Sequence, residues 1–302
     1  MTAAEAAPRF EFGKNWHKFV KRHFSEERLQ VAERRILDFL GVETLDGYDF
    51  LDIGCGSGIH SYAAFSAGAG KVRGFDYDQN SVEASLALRQ HAGQPPNWEV
   101  GRGDVLDDDY VASLGKWNLV YSWGVLHHTG EMWHAIENAQ RTVADGGLFY
   151  IALYSSDADF QPSKEFWLEV KQRYNKASPL RRSYMVLWYV WRFGMQGELK
   201  RLPDVIKQIV TYRVKRGMNY FADVRDWLGG WPMEYAGDQE TVDFLEDRFG
   251  FQLVNVKTGE ACSEFLFKKT GINSKKTDVL EFLAEQDAKP AKAPEIEATA
   301  AD

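Results

Sequence analysis

The sequence predicts an α/β fold, a doubly wound, seven-stranded, mostly parallel sheet with a helical lid inserted after the fifth strand. Two observations carry this. Between residues 48 and 155 five short apolar runs alternate with helical segments, which builds a parallel sheet covered on both faces. The alternation then stops for about eighty residues before two further strand-like runs close the chain.

Taken in order, residues 1–47 form an amino-terminal helical cap, because Phe19, Phe24, Leu29, Val31, Ile36 and Phe39 recur at helical spacing among charges between Trp16 and Gly41. The core starts at Tyr48–Ile53 (YDFLDI), a buried strand stopped by the turn GCGSG. Helix Ile59–Ala69, strand Lys71–Asp78 and helix Ser81–Ala92 follow. Next come strand Trp98–Leu106, a short helix Asp109–Leu114, strand Trp117–Trp123, helix Met132–Ala144 and strand Gly147–Tyr154. Residues 156–236 are the insertion, with helices over Lys164–Lys176, Arg182–Gly194 and Pro203–Gly217, then a polar and aromatic stretch to Tyr235 that serves acceptor binding or, at Gly229, Gly230 and Pro232, is a plain loop reversal. The core resumes over 237–270 with helix Gln239–Phe249 and strands Gln252–Thr258 and Glu264–Lys269, which have no helix between them and so pair antiparallel. Residues 271–302 read as a flexible tail: one short amphipathic segment, Asp278–Gln286, precedes an Ala/Pro/Glu-biased end that cannot bury a core.

Composition excludes several classes. With 302 residues, 44% hydrophobic, 26% charged and 14% aromatic, the chain is globular and large enough for a real core. Its two cysteines, Cys55 and Cys262, lack disulfide or zinc spacing. The longest apolar run, Tyr184–Trp191, has eight residues flanked by Arg181, Arg182 and Arg192, far short of the ~20 that cross a bilayer. The first residues lack a basic start and an apolar run, so the expected location is cytoplasmic. A net charge of −8 argues against nucleic acid as a partner, yet residues 160–220 hold thirteen Lys and Arg against four Asp and Glu. Aromatics are dense in the same stretch, which makes peripheral contact with an anionic membrane an expectation to test.

Strand one runs into Asp52-Ile53-Gly54-Cys55-Gly56-Ser57-Gly58, and the helix that follows aims its first N–H groups at the carboxyl edge of the sheet. A dinucleotide fingerprint would need glycine at position 59, where Ile59 stands. Asp52 would also repel a pyrophosphate, whereas it suits a ligand carrying an ammonium. Asp76, 24 residues further on at the end of strand two, is placed to accept ribose hydroxyls, with Asp78 as the weaker twin.

Through LDIGCGSG (Leu51–Gly58), Asp76, GDVL (Gly103–Leu106) and SWGVLHH (Ser122–His128), the sequence resembles the class I S-adenosylmethionine-dependent methyltransferases over residues 48–155 and 237–270. The resemblance implies that Asp52, Gly54, Gly56 and Gly58 hold the methionine moiety of S-adenosylmethionine, Asp76 the ribose and Asp104 the adenine amine. Cys55, Tyr77, Val105, Ser122 and Trp123 complete the implied cofactor contacts, and the seven-strand order follows the same family. Asp104 has a rival role as the cap of the short helix near Asp108.

Methyl transfer from a sulfonium is a direct displacement, so the protein mainly places a nucleophile in line. A hydroxyl acceptor must lose its proton on the way, for which histidine is the natural base. His127 and His128, just past strand four, stand at the right edge, and nothing in the sequence chooses between them; a packing role in the turn is the competing reading. No metal-ligand spacing occurs nearby, so no metal is expected. Acceptor contacts are expected from Trp16, Tyr154, Arg225, Trp227 and Trp231, the insertion and amino-terminal segment closing over the edge as a lid. The reading is O-methylation of a carbohydrate or other hydroxylated small molecule; N- or S-methylation of a small metabolite and cofactor binding without turnover are the alternatives.

Overall fold

The computed structural model describes residues 10, 12–13, 24–159, 161–216, 220–271 and 276–288. Its sheet comprises β1 (Asp49–Ile53), β2 (Lys71–Asp76), β3 (Trp98–Arg102), β4 (Trp117–Trp123), β5 (Val143–Tyr154), β6 (Phe251–Lys257) and β7 (Cys262–Lys269), in the order β3-β2-β1-β4-β5-β7-β6. The first five are parallel, while β7 runs antiparallel to both neighbours, as the missing helix between the last two strands required.

Side chains alternate between the two faces, so each strand feeds two cores at once. Leu51, Ile53, Val120, Phe149, Phe265 and Phe267 belong to one cluster, together with Ile136 of α5 (Met132–Arg141) and Leu245 of α10 (Asp238–Phe249). Their sequence neighbours Phe50, Leu119, Tyr121, Tyr150 and Leu266 belong to the other. That second layer is covered by α1 (Glu26–Leu40), α2 (Ile59–Ser66) and α3 (Gln79–His91) through Leu29, Ile36, Ala63 and Leu88. The unbroken apolar runs of the sequence are therefore two interleaved faces, both buried.

The inserted helices are α6 (Lys164–Lys176), α7 (Pro179–Tyr189), α8 (Leu202–Arg216) and α9 (Tyr220–Gly229), lying between β5 and α10. They enclose a core of their own, in which Trp167, Val170 and Tyr174 of α6 meet Val186 of α7 and Tyr220, Val224 and Leu228 of α9.

Four expectations are corrected. The predicted helix over Trp16–Gly41 is bounded at Ser25, whose extended backbone (φ −153°) precedes α1, and residues 14–23 lie outside the described ones. Helix α5 ends at Arg141 and not at Ala144, and β5 begins at Val143, because the register with β4 shifts between Trp117 and Leu119 to absorb Ala144–Gly147. The polar and aromatic stretch before Tyr235, to which the sequence assigns no element, contains α9, formed because Tyr220, Val224 and Leu228 recur every four residues and bury against α6. Finally, the tail is not flexible throughout: α11 (Val279–Ala288) buries Val279 and packs Phe282 and Leu283 on the core, while Thr277 Oγ1 donates to Glu246 at 2.7 Å and Gln286 Nε2 to Asn255 at 2.8 Å. Residues 272–275 and 289–302 lie outside the described ones.

Val279→Ala should therefore lower stability by about 1.5–2.5 kcal/mol, for two lost methyl groups and the small cavity left behind. Chemical denaturation measures this, and a segment without a docking role would leave the midpoint unchanged.

Candidate active site

Strands β1 to β5 end at one edge, and the order reverses at β1, with β2 on one side and β4, reached by the crossover from β3, on the other, so a crevice opens at the carboxyl ends. The loop after β1 is built to turn tightly there. Gly54 and Cys55 both donate to the carbonyl of Phe75 in β2, at 2.9 and 3.0 Å. Gly54 has φ +74°, and a Cβ on it would stand 2.3 Å from Cγ1 of Val125, so only glycine lets the β1 and β4 loops approach this closely. Gly58 makes the same kind of approach to Ser85 on α3.

Two carboxyl groups converge on this turn. Asp52, 2% exposed, accepts a hydrogen bond from Ser61 Oγ at 2.6 Å. Burial pushes its carboxyl up to about 7 against the lowering effect of that bond, and the neighbouring charge of Asp76 adds to the rise. Asp76 accepts from Gly56 N–H at 3.0 Å and from Asp78 N–H at 2.8 Å, so it braces the turn from the end of β2. Asp78 is the N-cap of α3, taking Asn80 N–H at 2.9 Å, and it also takes Gly13 N–H at 2.8 Å. That division separates the two aspartates that sequence alone left as near twins.

The other predicted contacts divide. Cys55 points its thiol at Gly74 of β2, where burial raises it well above the ordinary thiol range. Tyr77 is half exposed, with the Arg102 guanidinium 5.7 Å from its ring centre. Asp104 does not cap α4 (Asp108–Ser113): Asp107 does, accepting Tyr110 N–H at 3.0 Å, while Asp104 accepts Leu106 N–H at 2.9 Å within its own turn. Val105 is buried, its carbonyl taken by Asn138. Ser122 is wholly buried and donates to the carbonyl of Ile53 at 3.0 Å, fastening β4 to β1, whereas Trp123 beside it is 37% exposed.

A 3₁₀ turn (Leu126–His128) follows β4 and carries both histidines, which it sets in different surroundings. His127 is wholly buried; its Nδ1 accepts from Tyr154 N–H at 3.3 Å, and its Nε2 has no hydrogen-bond partner among the described residues. Burial, then the proximity of His128 and Lys171, pushes its pKa well below the ordinary histidine value, so the ring is neutral. His128 is half-buried, with Nδ1 2.7 Å from the carbonyl of Pro232. Since a carbonyl only accepts, Nδ1 carries the proton and Nε2 is the basic nitrogen of the neutral ring. Pro232 lies 104 residues away, a partner no local pattern announces.

The insertion and the amino-terminal segment meet over these histidines. The Phe12 ring lies 5.1 Å from that of His128, tilted by 50°, Phe10 lies 4.9 Å from Phe12, and Phe10 N–H donates to the carbonyl of Trp231 at 2.8 Å. Gly229 and Gly230 make room for these rings, since a Cβ on Gly230 would meet His128 Cε1 at 3.1 Å. Tyr154, at the end of β5, packs 4.4 Å from His127 and 5.8 Å from His128. Trp227 is a joint of the lid's core: its ring lies 5.1 Å from Trp167, with Lys171 Nζ 4.3 Å from its centre. Arg225 is exposed and donates to the carbonyl of Phe221 in its own helix, and Trp16 lies outside the described residues. Tyr154 and Trp231 are thus brought to the site, Trp227 stands behind it, and Arg225 is on the outer surface.

Sequence reasoning missed Ser61, Val125, Tyr235 and Lys171. Lys171 alone left a trace: it sits four residues after Trp167 and three before Tyr174, on the buried face of α6, and burial lowers it to about 7. An open cavity of about 420 Å³ is lined by Met132, Trp133, Glu165, Leu168, Met233 and Tyr235 among others, none of them in the glycine turn.

A family model described as a methyltransferase domain matches residues 45–202, just over half of the chain. The chain belongs to the class I S-adenosylmethionine-dependent methyltransferases. It is 32% identical over 136 residues to a ubiquinone biosynthesis O-methyltransferase from Methylobacterium sp. (strain 4-46), covering 45% of this chain and 53% of that protein. It is 37% identical over 87 residues to a tRNA U34 carboxymethyltransferase from Methylococcus capsulatus, covering 29% of this chain and 26% of the relative. The chain therefore spans about a quarter to about half the length of these relatives. An O-methyltransferase family protein from Burkholderia thailandensis superposes with a TM-score of 0.52 at 11% identity, over 90% of this chain and 66% of that one, which is a likeness of fold.

The family's methyl donor, S-adenosylmethionine, fits the residues present. A turn flanked by the Asp52 and Asp76 carboxyl groups is a poor host for phosphates and a good one for a ligand carrying a sulfonium, an ammonium and a ribose diol. When bound, that group supplies an electrophilic methyl carbon. Substituting Gly54→Ala should cost about 2–4 kcal/mol, from left-handed backbone plus overlap with Val125. Adding Val125→Ala should restore the overlap part but not the backbone part, which a double-mutant cycle in urea would resolve.

Proposed function

We propose that this methyltransferase transfers the methyl group to a hydroxyl oxygen of a small hydroxylated acceptor, a carbohydrate or a phenol-like ring, with His128 as the base. The observation that carries the reading is the 2.7 Å contact between His128 Nδ1 and the Pro232 carbonyl. It fixes the tautomer so that Nε2 can take the acceptor's proton, while the aromatic strap excludes water. His127 is the positioning partner: it is buried and neutral, its Nδ1 is committed to Tyr154, and its own carbonyl accepts Glu234 N–H at 2.9 Å. Asp52 and Asp76 hold the cofactor, the first facing its ammonium and the second its ribose. The ubiquinone biosynthesis O-methyltransferase among the relatives supports oxygen as the methylated atom. The tRNA U34 carboxymethyltransferase relatives favour a second reading, an RNA acceptor, against the acidic charge balance of the chain.

Turnover with labelled S-adenosylmethionine should appear on a panel of sugars and phenols and not on bulk tRNA. His128→Ala should then lower kcat by about 10²–10⁴-fold and remove the acid limb of the pH profile, with partial rescue by added imidazole. A rate unchanged by this substitution would point to a nitrogen or sulfur acceptor, which needs no base.

A cationic ligand favours the ionised form of Asp52, whose carboxyl is held up to about 7 in the free protein. The proton must leave on binding, so affinity for S-adenosylhomocysteine should rise with pH towards 7 and flatten above it. Calorimetry in two buffers of different ionisation heat should show the released proton near pH 6.5, and Asp52→Asn should abolish it.

A further inference from the structure

The lid's aromatic and basic residues are divided between two faces. On α7, Val186 is buried and Met185, Trp188 and Tyr189 pack on the insertion's own core. Leu180, Tyr184, Leu187 and Trp191, the last in the π-helical turn that continues α7, are spaced four, three and four residues apart. That spacing puts them in one row along the helix, and they are between 42% and 86% exposed. Arg181 and Arg192, both exposed, flank the row. A soluble helix normally turns such a row inward, so this face lacks its partner.

We propose that α7 is an interfacial docking helix whose exposed apolar row lies in the surface of an anionic lipid bilayer. Charge decides the occupant. A second copy meeting this face through a two-fold axis would set two segments of +9 excess charge against each other. An anionic bilayer offers complementary charge to Arg181 and Arg192 and an apolar layer to Leu180 and Leu187. The segment after α7 repeats the chemistry, with Leu199, Ile206 and Val210 exposed beside Lys200 and Lys207. RNA would use the cations but would gain nothing from exposed leucines. Among the described residues no helix is long and apolar enough to cross a membrane, so the contact is with the surface only.

The test is co-sedimentation of the full chain with vesicles of phosphatidylcholine alone and of phosphatidylcholine mixed with phosphatidylglycerol, without cofactor or acceptor. The protein should pellet with the mixed vesicles, and Leu187→Glu should weaken binding about tenfold or more, as should Arg181→Glu with Arg192→Glu. Added salt should weaken binding of the wild type. Unchanged S-adenosylhomocysteine affinity would show that the variants are folded. Binding no better to mixed than to neutral vesicles, or unaffected by these substitutions in folded protein, would overturn the proposal. So would a wild-type dimer that Leu187→Glu converts to monomer, or a tRNA mobility shift in place of vesicle binding.

Discussion

The seam formed by residues 230–236 is the constraint on which the site depends. Here the inserted chain returns to the sheet and bonds to the turn that follows β4 at three points. Pro232 O accepts from His128, Glu234 N–H donates to the carbonyl of His127, and Glu234 Oε2 accepts Met132 N–H, at 2.7, 2.9 and 3.0 Å. The last bond places an acid at the amino terminus of α5, where the helix dipole favours it. Neighbouring Glu131, at the N-cap position of the same helix, makes no side-chain cap bond. One loop thus fixes the histidine tautomer, anchors a helix and sets the lid over the crevice. A shift of this seam would alter all three together, which is why the lid cannot be treated as an independent attachment to the sheet.

The electrostatics of the crevice follow from the fold in the same way. Parallel strands with both faces covered leave the end of β1 dry, so Asp52 has one hydrogen-bond donor side chain and little water. A carboxyl in such a place is costly when ionised and alone, and it becomes favourable when a cation arrives. Asp76 differs, because with two backbone N–H groups bound it is already part of the turn's framework. Two carboxyl groups at one turn thus differ in their surroundings: Asp52 is buried with one side-chain donor, whereas Asp76 is a brace of the turn.

What the sequence discloses is set by the range of the interactions involved. Strands β1 and β5 are legible because Phe50 and Leu51, or Tyr150 and Phe149, are apolar on both faces, and the glycine turn is legible because Asp52, Gly54, Gly56 and Gly58 are close in the chain. Helix α9 is obscured because its apolar face, Tyr220, Val224 and Leu228, is interleaved with Asp223, Arg225, Asp226 and a closing Gly-Gly pair. The choice between His127 and His128 is not legible at all. It depends on Pro232 and Tyr154, 104 and 27 residues away, and on burial that only the assembled sheet creates. Docking of α11 is hidden for a related reason, since Glu246 reaches Thr277 across 31 residues.

Aromatic density in the insertion shows how composition can point to the right region for mixed reasons. Trp167, Tyr174 and Tyr220 are there to give a small helical unit a core of its own, with Trp167 edge-on to Phe166 at 5.3 Å and Tyr220 edge-on to Tyr212 at 5.2 Å. Lys171 joins them with its Nζ over Trp227 and bonded to that residue's carbonyl, the kind of contact that lets a buried amine persist. Subtracting these leaves Phe12 against His128 and the row on α7 facing outward. The same residue types therefore serve packing, acceptor enclosure and an external surface, and only burial tells the three apart.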